Sequence, residues 1–340
     1  MVSYYARRIG MAVLVLFTSI TFAFFVFRFM PGSPTEALEQ ELINRARQSG
    51  AEVNRARIRR LVESITAVDP DKPAHLAYYE YVRDIILYQD FGESIWKGEP
   101  VFQYLIEKVP WSIFLSIYGL TVGRAIGIVL GAMMAYKEGT KFDSGLTLWT
   151  IFNQGIPYYF VAILCLVFFA FNLEWFPTSG RMNTDTVAGL NYPFIAGLVS
   201  HAFLPIVTTI IAGFGGGLAF RGNSVREMGK PYIKLAHLRG ISGGRIAVRY
   251  VGRNAILPVY TGIVMGIAAL FGSSIIIEQI FTYPAVGYAT YNALIQRDYP
   301  LLMGSFVFFT TLTVLGVLIA DLTYGIIDPR VNSGGDRESF

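Results

Sequence analysis

Few residues in this chain have the type and spacing that covalent chemistry requires. "GISGG", Gly240 to Gly244, matches G-x-S-x-G, the turn that presents a serine nucleophile where a strand meets a helix. Its flanks are helix-forming and basic, so Ser242 lacks the strand and the acid–base partners that would activate it. His201 lies inside an apolar run, between "LVS" and "AFLP", with no second ligand and no paired nucleophile. It is expected to be a packed or cavity-facing polar group. There is no H-E-x-x-H, and the apolar runs contain no pair of acidic residues. Nor is there G-x-x-x-x-G-K-[ST], the loop whose backbone N–H groups and lysine hold nucleotide phosphates. "GFGGG", Gly213 to Gly217, lacks the lysine and suits close helix packing instead. The chain is expected to carry no catalytic residue, no metal site and no cofactor of its own; any ATP and Mg would be bound by another chain.

The remaining chemistry is electrostatic. Between Arg221 and Asn254, eight of thirty-four residues are Lys or Arg and only Glu227 is acidic. Within this stretch Pro231 suits the first turn of a helix and Gly240 the position just past its end. They bracket a short helix, "YIKLAHLR", in which Tyr232, Leu235, Ala236 and Arg239 fall at i, i+3, i+4 and i+7 and share a face. So short a helix is unstable alone in water and needs a surface to pack on; the small Ala236 would permit close approach. A second helix begins after "GISGG" and carries Arg245, Arg249 and Arg253 at i, i+4 and i+8. That stripe is placed to meet anionic lipid headgroups, although positive-inside bias alone would also explain it. One further cation, Arg124 in "GLTVGRAIGIVLG", sits midway along an apolar run, where an unpaired charge costs on the order of 3 kcal/mol. Either it pairs with a polar neighbour, Asn153 or Gln154, or it lines a translocation path and attracts a carboxylate. His201 is a further candidate for that path.

The elements that must position these residues are membrane helices. With 53% hydrophobic and only 15% charged residues, the composition excludes an ordinary soluble protein. Six runs are long enough to cross the bilayer: Ile9–Phe27, Val109–Tyr136, Leu146–Asn172, Pro193–Phe220, Ala255–Ile277 and Pro300–Ala320. They lack the alternating polarity of barrel strands. The expected fold is therefore an all-α polytopic membrane protein with six transmembrane helices. The first run could instead be a cleaved signal peptide, but it is long and ends in "RFMPGSP" without a small-residue cleavage site, so it is read as a retained span. Cys165 is alone and within the third run, which excludes a disulfide framework.

Charge sets the expected orientation. One side holds Arg7, Arg8, Lys137, Lys141, the basic 221–254 loop, Arg330 and Arg337, whereas the short loops of the other side hold only Arg181 and Arg297. Both termini and the loop are thus expected in the cytoplasm of a cell that holds the chain in its plasma (inner) membrane. Residues 31–108 carry ten basic and thirteen acidic residues and exceed the length over which the rule acts, so they read as a small, helical external domain. The expected organisation is 1–30 tail and first span, 31–108 external domain, 109–327 five-helix core, and 328–340 cytoplasmic tail. No internal repeat and no nucleic-acid motif is present, and the lipid bilayer is the one partner composition itself demands.

"GKPYIKLAHLRGIS" followed by "RNAILP" resembles the cytoplasmic loop of ABC importer permeases. More narrowly, the chain resembles the B-type transmembrane subunit of the dipeptide/oligopeptide/nickel family. The likeness extends to "YYARRIGMAVLVLF" with "FMPGSP", "DFGESIWKGEPVFQYLIEKVPWSI", "IPYYFVAILCLVFF", "WFPTSGR", "EQIFTYPAVG", "RDYPLLMG" and "DLTYGIIDPRV", in order along nearly the whole chain. The resemblance implies a transport subunit, not an enzyme. It implies a second, related permease subunit, two ATP-binding-cassette ATPase subunits and an extracytoplasmic substrate-binding protein. It assigns ATPase coupling to the loop helix: Tyr232, Lys234, Leu235, Ala236, Arg239 and Gly240, with Asn254 and Pro258 where the signature ends. It makes the 31–108 domain and "TYPAVG" the natural surfaces for the binding protein. Peptides are the expected substrate, with nickel or oligosaccharides as alternatives of the same architecture. A channel or ion-coupled carrier working without ATPases is the alternative of a different class, and would favour midplane ionisable groups and repeats.

Overall fold

A computed structural model describes residues 2–29, 34–50, 53–66, 72–212, 216–256 and 275–327. Among them the secondary structure is helical apart from one bridge, between Glu93 and Pro100. Four helices contain apolar stretches long enough to cross a membrane: α1 (Val2–Phe29), α6 (Val109–Tyr136), α9 (Tyr192–Ala212) and α15 (Tyr299–Ile327). A bent helix pair makes a fifth crossing if it is one span. The chain is a multi-pass membrane protein. The expected fifth run, with Pro258, falls almost wholly at residues 257–274, outside the described residues, as do 213–215 and the tail 328–340.

One expected run is corrected. The third is not one straight helix: α7 (Lys141–Gly155) and α8 (Tyr158–Asn172) meet at 93°. The cause is Pro157, which lacks a backbone N–H and pushes the residue before it out of the helical region. Ile156 accordingly sits at φ −87°, ψ 122°. The fourth run is described as α9 up to Ala212 and as α10 (Gly216–Met228) from Gly216, and α10 carries the chain helically past the point where the loop was expected to begin.

The 31–108 segment is helical but divided. It begins with α2 (Pro34–Gln48) and α3 (Arg55–Thr66), with Gly50 at φ 70° just after α2. Leu38, Ile43, Ile58 and Val62 give this pair a small core of its own. The next two helices, α4 (Ala74–Tyr88) and α5 (Val101–Ile106), instead share a core with the membrane helices. Phe24 of α1, Tyr81 and Ile85 of α4, Val101 and Leu105 of α5, and Leu301 and Val307 of α15 are all buried in it.

Helices α6, α9 and α10 pack along a glycine seam: Gly119, Gly123, Gly127 and Gly131 recur every fourth residue on one face of α6. A methyl group at Gly119 would lie 2.8 Å from Thr209 Oγ1, and one at Gly131 would overlap the Gly217 carbonyl oxygen. Small residues let backbones approach where lipid offers no hydrophobic drive to association. This seam fixes α10, and through it the loop that follows. The loop holds α11 (Pro231–Leu238) and α12, helical over 243–256. Beyond 274 come α13 (Ile275–Ile280) and α14 (Val286–Ile295).

Candidate functional site

Helix α11 is capped as its sequence directs. Pro231 occupies its first turn, where a missing N–H costs nothing. At the other end Gly240 adopts φ 68°. Its N–H donates to His237 O at 2.9 Å, and the Ile241 N–H donates to Ala236 O at 3.2 Å. This pair of bonds is the Schellman closure, which satisfies carbonyls the helix end would otherwise orphan.

The face of α11 differs from the expected one. Ile233 and Ala236, 2% and 3% exposed, turn inward and pack with Ile246 and Val251 of α12, flanked by Tyr232, Met228, Ile241 and Tyr250. Leu235 and Leu238, 56% and 83% exposed, turn outward, with Lys234, His237 and Arg239 also exposed. Ala236 therefore seats α11 on its own chain and is not the contact offered to another. The periodicity is consistent with either grouping; only the position of α12 decides which side is inside.

Polar bonds hold α11 to both neighbouring helices. The Tyr232 hydroxyl donates to Glu227 Oε2 of α10 at 2.6 Å and accepts from Asn254 Nδ2 of α12 at 3.0 Å. Lys230 Nζ lies 2.5 Å from Glu227 Oε1. The Lys230 ammonium, and then the Tyr232 hydroxyl, hold the Glu227 carboxyl below its usual range. Being lowered by folding, it contributes stability above the ordinary carboxylate pKa and loses it as pH falls through the depressed value. Burial, followed by the Glu227 contact, pushes the Tyr232 phenol up. Arg245, Arg249 and Arg253 are all exposed along α12. Ser242 is exposed between two helices, and its carbonyl accepts from Ile246 N.

Arg221 of α10 forms an ion pair with Asp143 in the first turn of α7, just after the turn that follows α6. Asp143, 3% exposed, also accepts from the Gly139 N–H at 3.1 Å. The loop is thus braced against the helices on either side of that turn.

The expected path residues do not converge. Arg124 is half-buried and makes no hydrogen bond or ion pair among the described residues. Asn153, proposed as its companion, donates instead to Ile211 O at the end of α9, and Gln154 is exposed. Arg124 follows Gly123, which faces Ile210, so Arg124 and Asn153 flank one end of α9. His201 lies nine residues earlier, a rise of about 13 Å. Its Nδ1 donates to Gly197 O at 2.7 Å, and its ring lies beneath Gly180.

Buried carboxylates that the sequence reading passed over hold other junctions. Glu278, 2% exposed, accepts from Ser112 Oγ and from the Tyr288 N–H, both at 2.9 Å. Asp298, fully buried, accepts from Ser94 Oγ at 2.5 Å, the Trp96 N–H at 2.9 Å and the Leu301 N–H at 3.1 Å. Asp298 was the legible one: Asp ahead of a helix with Pro in its first turn is an N-terminal signal. Within "TYPAVG", Tyr283, Ala285 and Val286 are buried at 0%, 0% and 1% exposure, whereas Thr282 is exposed and Pro284 half-buried, so the segment presents only its turn outward.

A bundle of apolar helices that braces a basic loop, and gives that loop a capped helix with an outward apolar pair, defines a multi-pass membrane protein with an apolar pair left open on one short helix. Residues 127–333 match the family described as "Binding-protein-dependent transport system inner membrane component", and the chain belongs to it. It is 29% identical over 334 residues to the oligopeptide transport system permease protein AppB of Bacillus subtilis (strain 168), covering 97% of this chain and 99% of that one. It is 29% identical over 362 residues to the inner membrane ABC transporter permease protein YejB of Escherichia coli O157:H7, covering 98% and 99%. To the dipeptide transport system permease protein DppB of Lactococcus lactis subsp. cremoris (strain MG1363) it is 26% identical over 332 residues, covering 97% and 99%.

Proposed function

We propose that this chain is the membrane-spanning permease subunit of an ATP-driven importer that takes peptides from an extracytoplasmic binding protein. It works with a second, related permease and two ATPase subunits, which bind the ATP and Mg. The relatives' names, oligopeptide and dipeptide transport, support the substrate class. The observation that carries the mechanism is the outward pair Leu235 and Leu238 on a helix bonded to α10 and α12 at once. Burying such a leucine in a partner's groove is worth about 1.5–3 kcal/mol. A push on α11 then reaches the seam of α6 through Glu227 and α10, and reaches α12 through Tyr232 and Asn254. Arg245, Arg249 and Arg253 rest at the level of anionic headgroups, and Arg124 lines the path.

In this reading the termini and residues 221–254 are cytoplasmic, and 31–108 face the binding protein. Cysteines placed at Ser242 and Ser64, in a Cys165→Ala background, should label oppositely with an impermeant thiol reagent. Labelling of position 242 from outside would refute the orientation. Coexpression with the cognate ATPases tests the function: the chain should copurify with them, and binding protein loaded with peptide should stimulate ATP hydrolysis. Hydrolysis indifferent to that addition would refute the importer reading.

A further inference from the structure

Three cations on three separate segments each lie over an aromatic ring. Lys97 Nζ is 3.9 Å from the Trp96 ring centroid and 6.0 Å from that of Tyr104. Lys108 Nζ is 3.8 Å from the same Tyr104 ring, on the edge of α6. Arg181, in the segment after α8, has its guanidinium carbon 4.4 Å from the Trp111 ring. Trp111 and Lys108 are one turn apart, joined by a Trp111 N–H to Lys108 O bond of 3.1 Å.

The fold holds the residues that carry these rings. The Trp96 backbone N–H donates to buried Asp298, Tyr104 is 6% exposed, and Trp111 packs on the core around Leu115. The Arg181 segment is pinned by a Gly180 N–H to Thr282 O bond of 3.3 Å. Among the described residues none of the three cations forms an ion pair within 4.0 Å; Arg181 and Lys97 lie close enough to repel Lys108, and the exposed Glu107 and Glu99 act on it with the opposite sign.

A cation lying on a ring has already lost side-chain freedom, yet its other side stays open to an anion. Like charges gathered on a rigid framework favour arrival of a negative group, and a carboxylate is the group for which ammonium and guanidinium donors make strong, charge-assisted bonds. The cluster lies at the start of α6, some 40 Å along that helix from the turn that braces the 221–254 loop. If the loop faces the ATPases, the cluster faces the arriving substrate.

We infer that Lys97, Lys108 and Arg181 form a receiving site for the C-terminal carboxylate of the incoming peptide, an inference that rests on the peptide-import reading. The test uses the complete importer in vesicles, with its ATPases and binding protein, and two probes: trialanine and its C-terminal amide. The readout is the ratio of their initial uptake rates. Selectivity of the binding protein cancels when that ratio is compared between variants. Lys108→Gln combined with Arg181→Gln should lower the ratio about tenfold, the loss of one charge-assisted contact. Lys108→Arg combined with Arg181→Lys should retain it. An unchanged ratio in the neutral variant overturns the inference. So does an equal fall for both probes that extra binding protein restores, since the cations would then receive that protein and not the peptide. If the wild-type complex takes up neither probe, the import reading itself fails and the inference falls with it.

Discussion

Arg221 grips Asp143 through two hydrogen bonds, Nε to Oδ1 at 2.5 Å and Nη2 to Oδ2 at 2.6 Å. The fork is bidentate, the geometry in which arginine binds carboxylate most strongly. Neither residue has a comparable second ion pair among the described residues, so each single loss should strand its partner. A double-mutant cycle of Asp143→Ala and Arg221→Ala, read by thermal unfolding in detergent, should give a coupling of about 1–3 kcal/mol. Additive losses would mean that the pair does not brace the loop.

Gly240 should tolerate little. At φ 68° a Cβ costs roughly 1–2 kcal/mol even though the space around it is open. Gly240→Val should therefore loosen the end of α11 and reduce ATPase copurification, while Gly240→Asn, which accepts this conformation more readily, should stay close to wild type. Equal behaviour of the two variants would show that the closure of the helix end does not matter.

The glycine seam makes a sharper distinction. Gly131→Ala puts a methyl into the Gly217 carbonyl and should cost about 1–3 kcal/mol. Gly222→Ala, on the open side of α10, meets nothing within 4 Å and should be neutral or slightly stabilising. Melting temperatures of the two purified variants decide the matter; indistinguishable values would remove the seam from the account.

Much of this was legible from local signals. Pro231 and Gly240 bracket α11, and the apolar runs mark α1, α6 and α15, because caps and hydropathy depend on adjacent residues alone. The glycine spacing in "GLTVGRAIGIVLG" was equally local and could have been read as a packing face. The inward side of α11 was not legible. Ala236 and Leu235 sit one position apart, and which of them is buried depends on α12 folding back. Asp143 and Arg221 are 78 positions apart, so nothing near either residue announces the other. The 93° bend was signalled by Pro157, but apolar length alone reads straight through it.

Arg124 separates a path role from a structural one. It is half-buried and makes no side-chain hydrogen bond or ion pair among the described residues, so Arg124→Ala breaks no polar contact there. The variant should melt like wild type yet import peptide several-fold more slowly, with Arg124→Lys milder. Normal uptake by the Ala variant would exclude Arg124 from the path.

The central claim is that α11 offers Leu235 and Leu238 to the ATPases while Ala236 seats it on its own chain. Ala236→Trp should disturb the loop itself, since overpacking there costs about 1–3 kcal/mol. Leu238→Asp, at a position 83% exposed, should leave the melting temperature unchanged. The most direct measurement is peptide-stimulated ATP hydrolysis by the reconstituted complex carrying Leu238→Asp. Hydrolysis should fall about tenfold, consistent with the loss of one buried leucine contact, and should stay near normal when Arg245 and Arg249 are neutralised instead. Wild-type hydrolysis with Leu238→Asp, together with its loss on neutralising those arginines, would make the segment an electrostatic patch and contradict the account.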